Sequence, residues 1–148
     1  MECDENGLEV LDRTECVRLL ETRSLGRIAI SVDALPTILP VNYAMVGDDQ
    51  VVIRTRRGTR LSTATRNAVV AFEVDEFDDT SGDGWSVLVR GVAREVQPDT
   101  APPPGTTVWP WQDASDTRLV GISLDLVSGR RLGLRAAAQP SRQRTSRG

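Results

Sequence analysis

The sequence contains no histidine and no lysine, and all 18 of its cationic side chains are arginine. Histidine is the commonest general base, the commonest metal ligand and the usual proximal ligand of haem. Its absence excludes a histidine-based catalytic triad and haem ligation through histidine, and no metal site is predicted. Because arginine is the only cation used, an arginine at any one position says less about a specific site than usual.

Cysteines and long apolar runs are also scarce. The two cysteines, Cys3 and Cys16, are expected to be free thiols in a reducing cytoplasm. No apolar run approaches ~18 residues, and the acidic N-terminus lacks the apolar segment of a secretory signal, so neither a membrane span nor a membrane partner is expected. The net charge of −3 gives no general attraction for nucleic acid, which is not expected as a partner.

The pattern of apolar residues indicates a mainly β protein with short helices. Asp12 and Glu15 have the spacing of a helix-capping box, and the helix that they begin is expected to end at Leu25 and Gly26. A second short helix is predicted from Leu61 to Arg66. Six strands are predicted: Arg27–Val32, Thr37–Val46, Val51–Thr55, Ala68–Asp75, Trp85–Gln97 and Leu119–Leu126. Short strands separated by turns favour a small barrel or sandwich.

Two residues inside the predicted strands indicate interruptions of the sheet. Pro40 predicts an edge position or an interrupted ladder, and Gly91 predicts a bulge or bend. The 148 residues fit one domain. We predict a flexible N-terminal arm over residues 1–11, a barrel domain over 12–135, and a disordered, arginine-rich tail over 136–148.

The segment from Arg54 to Arg60 has the residue types of a phosphate site. Arginine offers a planar fork of donors, threonine a hydroxyl, and the start of a helix free N–H groups. Arg54, Thr55, Thr59 and Arg60 supply these types across a turn at Gly58. A solvated basic loop that balances acidic neighbours explains the same residues, and their types alone leave both interpretations open.

An apolar stretch precedes this segment. Leu39, Pro40 and Val41 would form a wall for a flat aromatic ring, and the Asn42 amide would meet its polar edge. Taken alone, the stretch is better explained as an ordinary edge strand. The three tryptophans, Trp85, Trp109 and Trp111, have the size to stack on a ring, but a place in the core or in a subunit interface is the simpler expectation for each.

Six motifs in a fixed order resemble the flavin-binding split barrels of the pyridoxamine 5′-phosphate oxidase-like family, in particular its small actinobacterial-type flavin-nucleotide-binding subgroup. They are LGRIAIS, LPVNYAM, VVIRTRRGTRL, VVAFEVDEFD, GWSVLVRGVAREV and LVGISLDLVSGRR. The resemblance implies a six-stranded antiparallel split β-barrel with Greek-key connections. It also implies a homodimer that holds flavin mononucleotide (FMN) in grooves between the subunits.

The resemblance also implies roles for individual residues. Pro40, Val41 and Asn42 would lie along the isoalloxazine ring, the segment from Arg54 to Arg60 would hold the phosphate, and Trp85 would reach the flavin from the second subunit. The implied cofactor-binding set is Pro40, Val41, Asn42, Ile53, Arg54, Thr55, Thr59, Arg60, Leu61 and Trp85. The resemblance assigns no catalytic residue.

Three functions follow from the resemblance. The first is an FMN-dependent oxidoreductase that acts on an unknown small molecule. The second replaces FMN with the deazaflavin F420, whose acidic tail would meet Arg56, Arg57 and Arg66. The third is a flavin carrier or sensor without catalysis. The chain ends its barrel with GRRLGLR in place of the Arg-Leu-x-Pro pattern that helps hold substrate in pyridoxamine-phosphate oxidases, so that substrate is not implied.

Overall fold

The computed structural model describes residues 1–96 and 116–133, and within them eight strands and two helices. The helices are α1 (Arg13–Glu21) and α2 (Arg60–Ala64). The strands are β1 (Val10–Leu11), β2 (Leu25–Val32), β3 (Leu35–Val46), β4 (Gln50–Arg56), β5 (Ala68–Phe77), β6 (Gly84–Glu95), β7 (Thr117–Ser123) and β8 (Leu126–Leu132). Neither helix of the described ranges is long or apolar enough to cross a membrane.

Six of the strands close into a barrel. The sheet runs in the order β6, β5, β2, β3, β4 and β7, and β7 pairs back onto β6, so the ring closes. All of these pairings are antiparallel. The two remaining strands extend the sheet from the other end of β6, where β8 pairs with β6 and β1 pairs with β8. The predicted six-stranded antiparallel barrel is confirmed.

Strand alternation fills the barrel with aliphatic side chains. Ile28, Ile30, Val41 and Tyr43 point inward, as their spacing predicts, and all are buried. The Tyr43 ring meets the Phe72 ring edge-on, with ring centroids 5.0 Å apart. Helix α1 packs its buried residues against this core, and the Tyr43 hydroxyl donates a hydrogen bond to the backbone carbonyl of Leu20. The hydroxyl is thereby paired inside an apolar core.

Several predicted boundaries were wrong. Helix α1 is capped by Asp12 as expected, but it ends at Glu21 with Thr22 as its C-cap. Gly26 lies inside β2 instead of stopping the helix. The predicted last strand, Leu119–Leu126, is in fact most of β7 and the first residue of β8. After a short interruption β8 continues in the direction of β7, since both strands pair antiparallel with β6.

The first eleven residues differ from the expected flexible arm. Val10 and Leu11 form β1, which pairs with β8. The backbone of Cys3 forms an isolated β-bridge with that of Glu9, and Asp4 makes an ion pair with Arg130 at 2.6 Å. This segment is therefore attached to the sheet. The predicted arginine-rich tail, residues 136–148, and the four prolines at positions 98 and 102–104 lie outside the described residues.

The barrel is split along one side of β3. Residues 35–42 of β3 pair with β2, but pairing with β4 begins only at Tyr43. Within the described residues, this half of β3 has no strand on its second edge. Pro40 lies there, where its missing N–H removes no ladder hydrogen bond, as the sequence predicted. Leu35 and Ile38 on the same segment are 66% and 68% exposed.

Candidate functional site

An open cavity of roughly 590 Å³ lies beside α2. Helix α2 and the turn before it supply one wall, and the hairpin between β2 and β3 supplies the other. The lining residues are Ser31, Val32, Asp33, Gly58, Thr59, Arg60, Thr63, Ala64 and Ala68. Two of the predicted phosphate-binding residues, Thr59 and Arg60, are therefore brought together at one concave surface.

Thr59 organises the turn that enters α2. Its Oγ1 accepts a hydrogen bond from the backbone N–H of Ser62 at 3.1 Å and so caps the helix. The same hydroxyl donates to the backbone carbonyl of Arg56 at 2.8 Å and lies 3.3 Å from the hydroxyl of Thr55. Gly58 has a φ of +79°, which glycine adopts without steric cost. The local sequence therefore fixes the backbone that carries Arg60.

Arg60 gives this cavity its positive charge. Its side chain is exposed, and it makes no ion pair with any residue of the described ranges. The Thr63 hydroxyl, which donates to the Thr59 carbonyl at 3.2 Å, lies on the same wall. Asp33 on the opposite hairpin is the one carboxylate of the lining. The Arg60 guanidinium suits a phosphate group, and the hydroxyls of Thr59 and Thr63 would add donors by turning from their backbone acceptors.

Other residues of the predicted phosphate segment are not in this cavity. Thr55 is only 3% exposed, and its hydroxyl contacts that of Thr59 from the inner side of the turn. Arg54 points to the opposite face of β4 and donates a hydrogen bond to the Thr117 hydroxyl at 3.1 Å. Ile53 is fully buried in the core, with Tyr43 and Val120 beside it in the neighbouring strands.

The apolar side chain of Leu61 also turns away from the cavity. It packs partly buried against the hydrophobic core. The predicted segment therefore divides into residues that face the cavity and residues that hold the backbone behind it.

The predicted ring-binding stretch lies on the open edge of β3. Pro40 and Asn42 face outward, whereas Val41 is 4% exposed and belongs to the core. The Asn42 amide donates to the Ser24 carbonyl at 3.2 Å. A ligand at this edge would therefore meet Pro40, the Asn42 side chain and backbone groups without a strand partner.

Trp85 lies far from the cavity within one chain. Its side chain is 8% exposed and the guanidinium of Arg23 lies 6.0 Å from its ring centre. Strand pairing places it beside Glu76, near the start of β2, whereas the cavity lies at the end of β2. Trp109 and Trp111 lie outside the described residues.

The sequence analysis missed a buried arginine behind the cavity. Arg118 is 3% exposed and donates from Nε to the Ser62 hydroxyl at 2.9 Å and from Nη2 to the Thr65 hydroxyl at 2.8 Å. Nη2 also reaches the backbone carbonyl of Ser62. Alternation would have located Arg118, because it is in phase with the buried Val120 and Ile122.

Three similarities to known proteins agree with this architecture. The chain is 38% identical to an uncharacterized protein of Mycobacterium tuberculosis over 128 residues, which is 82% of this chain and 84% of that protein. It superposes on a FAD binding protein from Mycobacterium smegmatis with a TM-score of 0.72 and 38% identity, over 84% of this chain and 99% of the other.

A putative pyridoxamine 5′-phosphate oxidase from Corynebacterium glutamicum is also similar. Its TM-score is 0.69 at 29% identity, over 88% of this chain and 97% of the other. Residues 12–131 match the family model described as pyridoxamine 5′-phosphate oxidase. With most of the chain matched and the split barrel in place, the protein belongs to the pyridoxamine 5′-phosphate oxidase family.

Proposed function

We propose that this protein binds FMN, with the phosphate in the cavity beside α2 and the ring along the open edge of β3. The observation that carries the proposal is the convergence of Thr59, Arg60 and Thr63 on one cavity. Arg60 has no carboxylate partner among the described residues, so its charge is available to an anion. Family membership and the similarity to a flavin-binding protein support the cofactor class.

We further propose that a second copy of the chain completes the site. The open edge of β3 carries Leu35 and Ile38, which are mostly exposed in one chain. Exposed apolar side chains beside an unpaired edge favour association with another surface. Trp85 would contact the flavin only from the second subunit, since within one chain it lies at the other end of β2 from the cavity.

We propose the chemistry of an oxidoreductase with an unknown small-molecule substrate. A bound flavin supplies the transfer of electrons, and the protein supplies binding, orientation and exclusion of water. Arg60 and the hydroxyls of Thr59 and Thr63 would hold the phosphate, while Pro40 and Asn42 would position the ring. The absence of histidine does not oppose this role, because the flavin carries the electrons and no protein acid or base is strictly required.

The purified protein provides the first test. It should show a flavin absorbance spectrum, and mass spectrometry of the released chromophore should identify FMN. Release of FAD would change the nucleotide in the proposal, and release of F420 alone would favour the deazaflavin function. A colourless protein that binds none of the three would refute the flavin site.

The phosphate position has a sharper test in Arg60→Ala. Loss of a charge-assisted contact should weaken FMN binding by about tenfold or more, whereas riboflavin, which lacks the phosphate, should bind as before. Arg18→Ala is the matched control, because Arg18 is an exposed arginine on α1. Unchanged FMN affinity in Arg60→Ala would show that the phosphate lies elsewhere. Turnover with a reductant and a panel of acceptors then separates an enzyme from a carrier or sensor.

The deazaflavin alternative depends on arginines around α2. Arg57 already makes ion pairs with Glu95 and Asp116, at 3.4 and 3.7 Å. Arg66 lines a different cavity from Arg60. Arg57 and Arg66 both lie close to Glu95 and Arg118, on a surface separate from the cavity beside Arg60. An acidic tail would have to reach from that cavity to this surface, whereas FMN needs only the phosphate contacts beside Arg60.

A further inference from the structure

A second cavity lies at the other end of α2. It has a volume of roughly 310 Å³ and is lined by Arg66, Asn67, Arg94, Glu95 and Arg118. It shares no lining residue with the cavity beside Arg60. Three of its five lining side chains are guanidinium groups, although the chain as a whole carries a net charge of −3. The local charge is therefore opposite to that of the whole protein.

These arginines are not neutralised within the described residues. Arg66 and Arg94 are exposed and make no ion pair there. Glu95 is the only carboxylate in the lining, and it already pairs with Arg57 at 3.4 Å. Six of the twelve exposed arginines in the described ranges do have a carboxylate partner, among them Arg18, Arg27 and Arg130. The cavity therefore holds three guanidinium groups against one carboxylate, which leaves an excess of positive charge among the described residues.

Arg118 forms the buried part of the cavity wall. Its Nε and Nη2 donate hydrogen bonds to Ser62 and Thr65. Its Nη1 makes no hydrogen bond to any residue in the described part of the chain. Burial lowers the pKa of this guanidinium below its ordinary value, and the nearby charge of Arg66 lowers it further. The Glu95 carboxylate raises the pKa and so offsets part of this effect. The Arg118 guanidinium therefore presents a spare donor beside a cationic neighbour, which suits an anionic ligand.

We propose that this cavity is a second anion site, which binds a phosphoryl group carried by a small molecule. Arginine forks match the geometry of phosphate oxygens, and three of them around a small cavity would hold a dianion. The Asn67 side chain adds an amide donor. The anion would relieve the mutual repulsion of Arg66 and Arg118 and satisfy Nη1 of Arg118. The site requires no flavin and is independent of the cofactor proposal.

Calorimetric titration with inorganic phosphate and with glycerol 3-phosphate tests the site. The flavin-free Arg60→Ala protein serves as the parent, so that binding beside Arg60 does not contribute. Adding Arg94→Gln or Arg66→Gln to this parent should weaken binding by about tenfold. Adding Arg18→Gln, on the exposed face of α1, should leave it unchanged. The tighter of the two probes identifies the source as free phosphate or a phosphate ester.

Two results would overturn the proposal. One is the absence of binding to the parent at low ionic strength, where a charged site is strongest. The other is equal binding to the parent and to the Arg66 and Arg94 variants. Both substituted residues are exposed, so circular dichroism and the unfolding temperature are expected to match those of the parent. A failure of flavin binding would leave these titrations unaffected.

Discussion

Nε of Arg118 in β7 donates a hydrogen bond to the hydroxyl of Ser62 in α2 across 2.9 Å. The Thr65 hydroxyl accepts a second bond from the same guanidinium at 2.8 Å. One buried side chain thereby ties the closing strand of the barrel to the helix that begins at Arg60. Because α2 is only five residues long, it depends on such tertiary contacts for its position. We therefore infer that Arg118 positions Thr59 and Arg60 from behind.

Replacing this arginine should affect stability and phosphate binding together. Arg118→Met fills the volume but leaves the Ser62 and Thr65 hydroxyls without their buried partner, and we expect a loss of about 3 kcal/mol in the free energy of unfolding. FMN affinity should fall by at least about fivefold while riboflavin affinity stays unchanged, because only the phosphate contacts lie on α2. Urea unfolding and titration with both flavins measure the two effects.

A variant destabilised elsewhere separates positioning from general loss of stability. Val120→Ala removes a fully buried side chain two residues along the same strand and should cost a similar amount of stability. It should leave the ratio of FMN to riboflavin affinity at the wild-type value. An unchanged ratio in Arg118→Met would mean that Arg118 holds the barrel together without influencing the phosphate site.

Gly91 allows a close approach of two backbones. Strand β6 pairs with β8 up to Arg90 and with β7 from Ala93, so Gly91 lies where the strand changes partners. A Cβ built on Gly91 would overlap the backbone carbonyl of Ser123. Gly91→Ala should therefore destabilise the protein by about 3 kcal/mol, and removing the serine hydroxyl with Ser123→Ala should not restore stability. Thermal or urea unfolding measures both.

Gly121 is the matched control for that prediction. A Cβ on Gly121 would overlap the side-chain amide of Gln50, which is a flexible group that moves at lower cost than a backbone. Gly121→Ala should cost less than Gly91→Ala, and Gln50→Ala in the same chain should recover most of the loss. If Ser123→Ala rescues Gly91→Ala to the same degree, the tight contact at Gly91 involves the side chain and not the backbone.

The sequence predicted the barrel better than it predicted the site. Alternation located the inward faces of β2 and β3, and Pro40 located the open edge, because both signals are local. Gly26 was mistaken for a helix stop because a glycine after an apolar helical residue is typical of one. Its real constraint is Phe72, which leaves no room for a Cβ at position 26 and is 46 residues away along the chain.

In the candidate site, too, the sequence predicted local features but not contacts between distant residues. Thr59 and Arg60 were found from a local turn, and they do line one cavity. Arg54 was grouped with them by proximity in sequence, although successive residues of a strand point to opposite faces. Arg118 was missed because the predicted strand began at Leu119, so the alternation that marks it as inward-facing was not extended to it. Its contact with Ser62 lies 56 residues away along the chain and has no local signal.

Glu73 on the outer face of β5 should make stability depend on pH. The pKa of its carboxyl is raised to about 7, mainly by burial and also by the neighbouring carboxylate of Asp75, against the opposing effect of Arg27. Arg27 makes its ion pair with Asp75 at 3.4 Å, while Oε1 of Glu73 is buried without a hydrogen-bond partner among the described residues. The folded protein therefore favours the protonated form of Glu73.

Because the folded state favours protonated Glu73, this residue should make the protein less stable as the pH rises. The ordinary pKa of the carboxyl is 4.5, so between that value and about 7 the folded state binds more protons than the unfolded state. The contribution of Glu73 to the free energy of unfolding should be complete below pH 4.5, fall as the pH rises to about 7, and then level off. Glu73→Gln, which stays neutral, should remove this fall, so urea unfolding curves of the two proteins should diverge across the interval.

Asp75→Asn separates the two causes that raise the pKa of Glu73, which are burial and the charge of Asp75. Removing the negative charge next to Glu73 should move the midpoint of the fall to lower pH without abolishing it, because burial is the larger cause. The glutamine variant should gain most over the wild type at neutral pH and least near pH 4.5, where Glu73 is already protonated. Parallel stability curves for wild type and Glu73→Gln would show that Glu73 ionises in the folded protein as an exposed glutamate does.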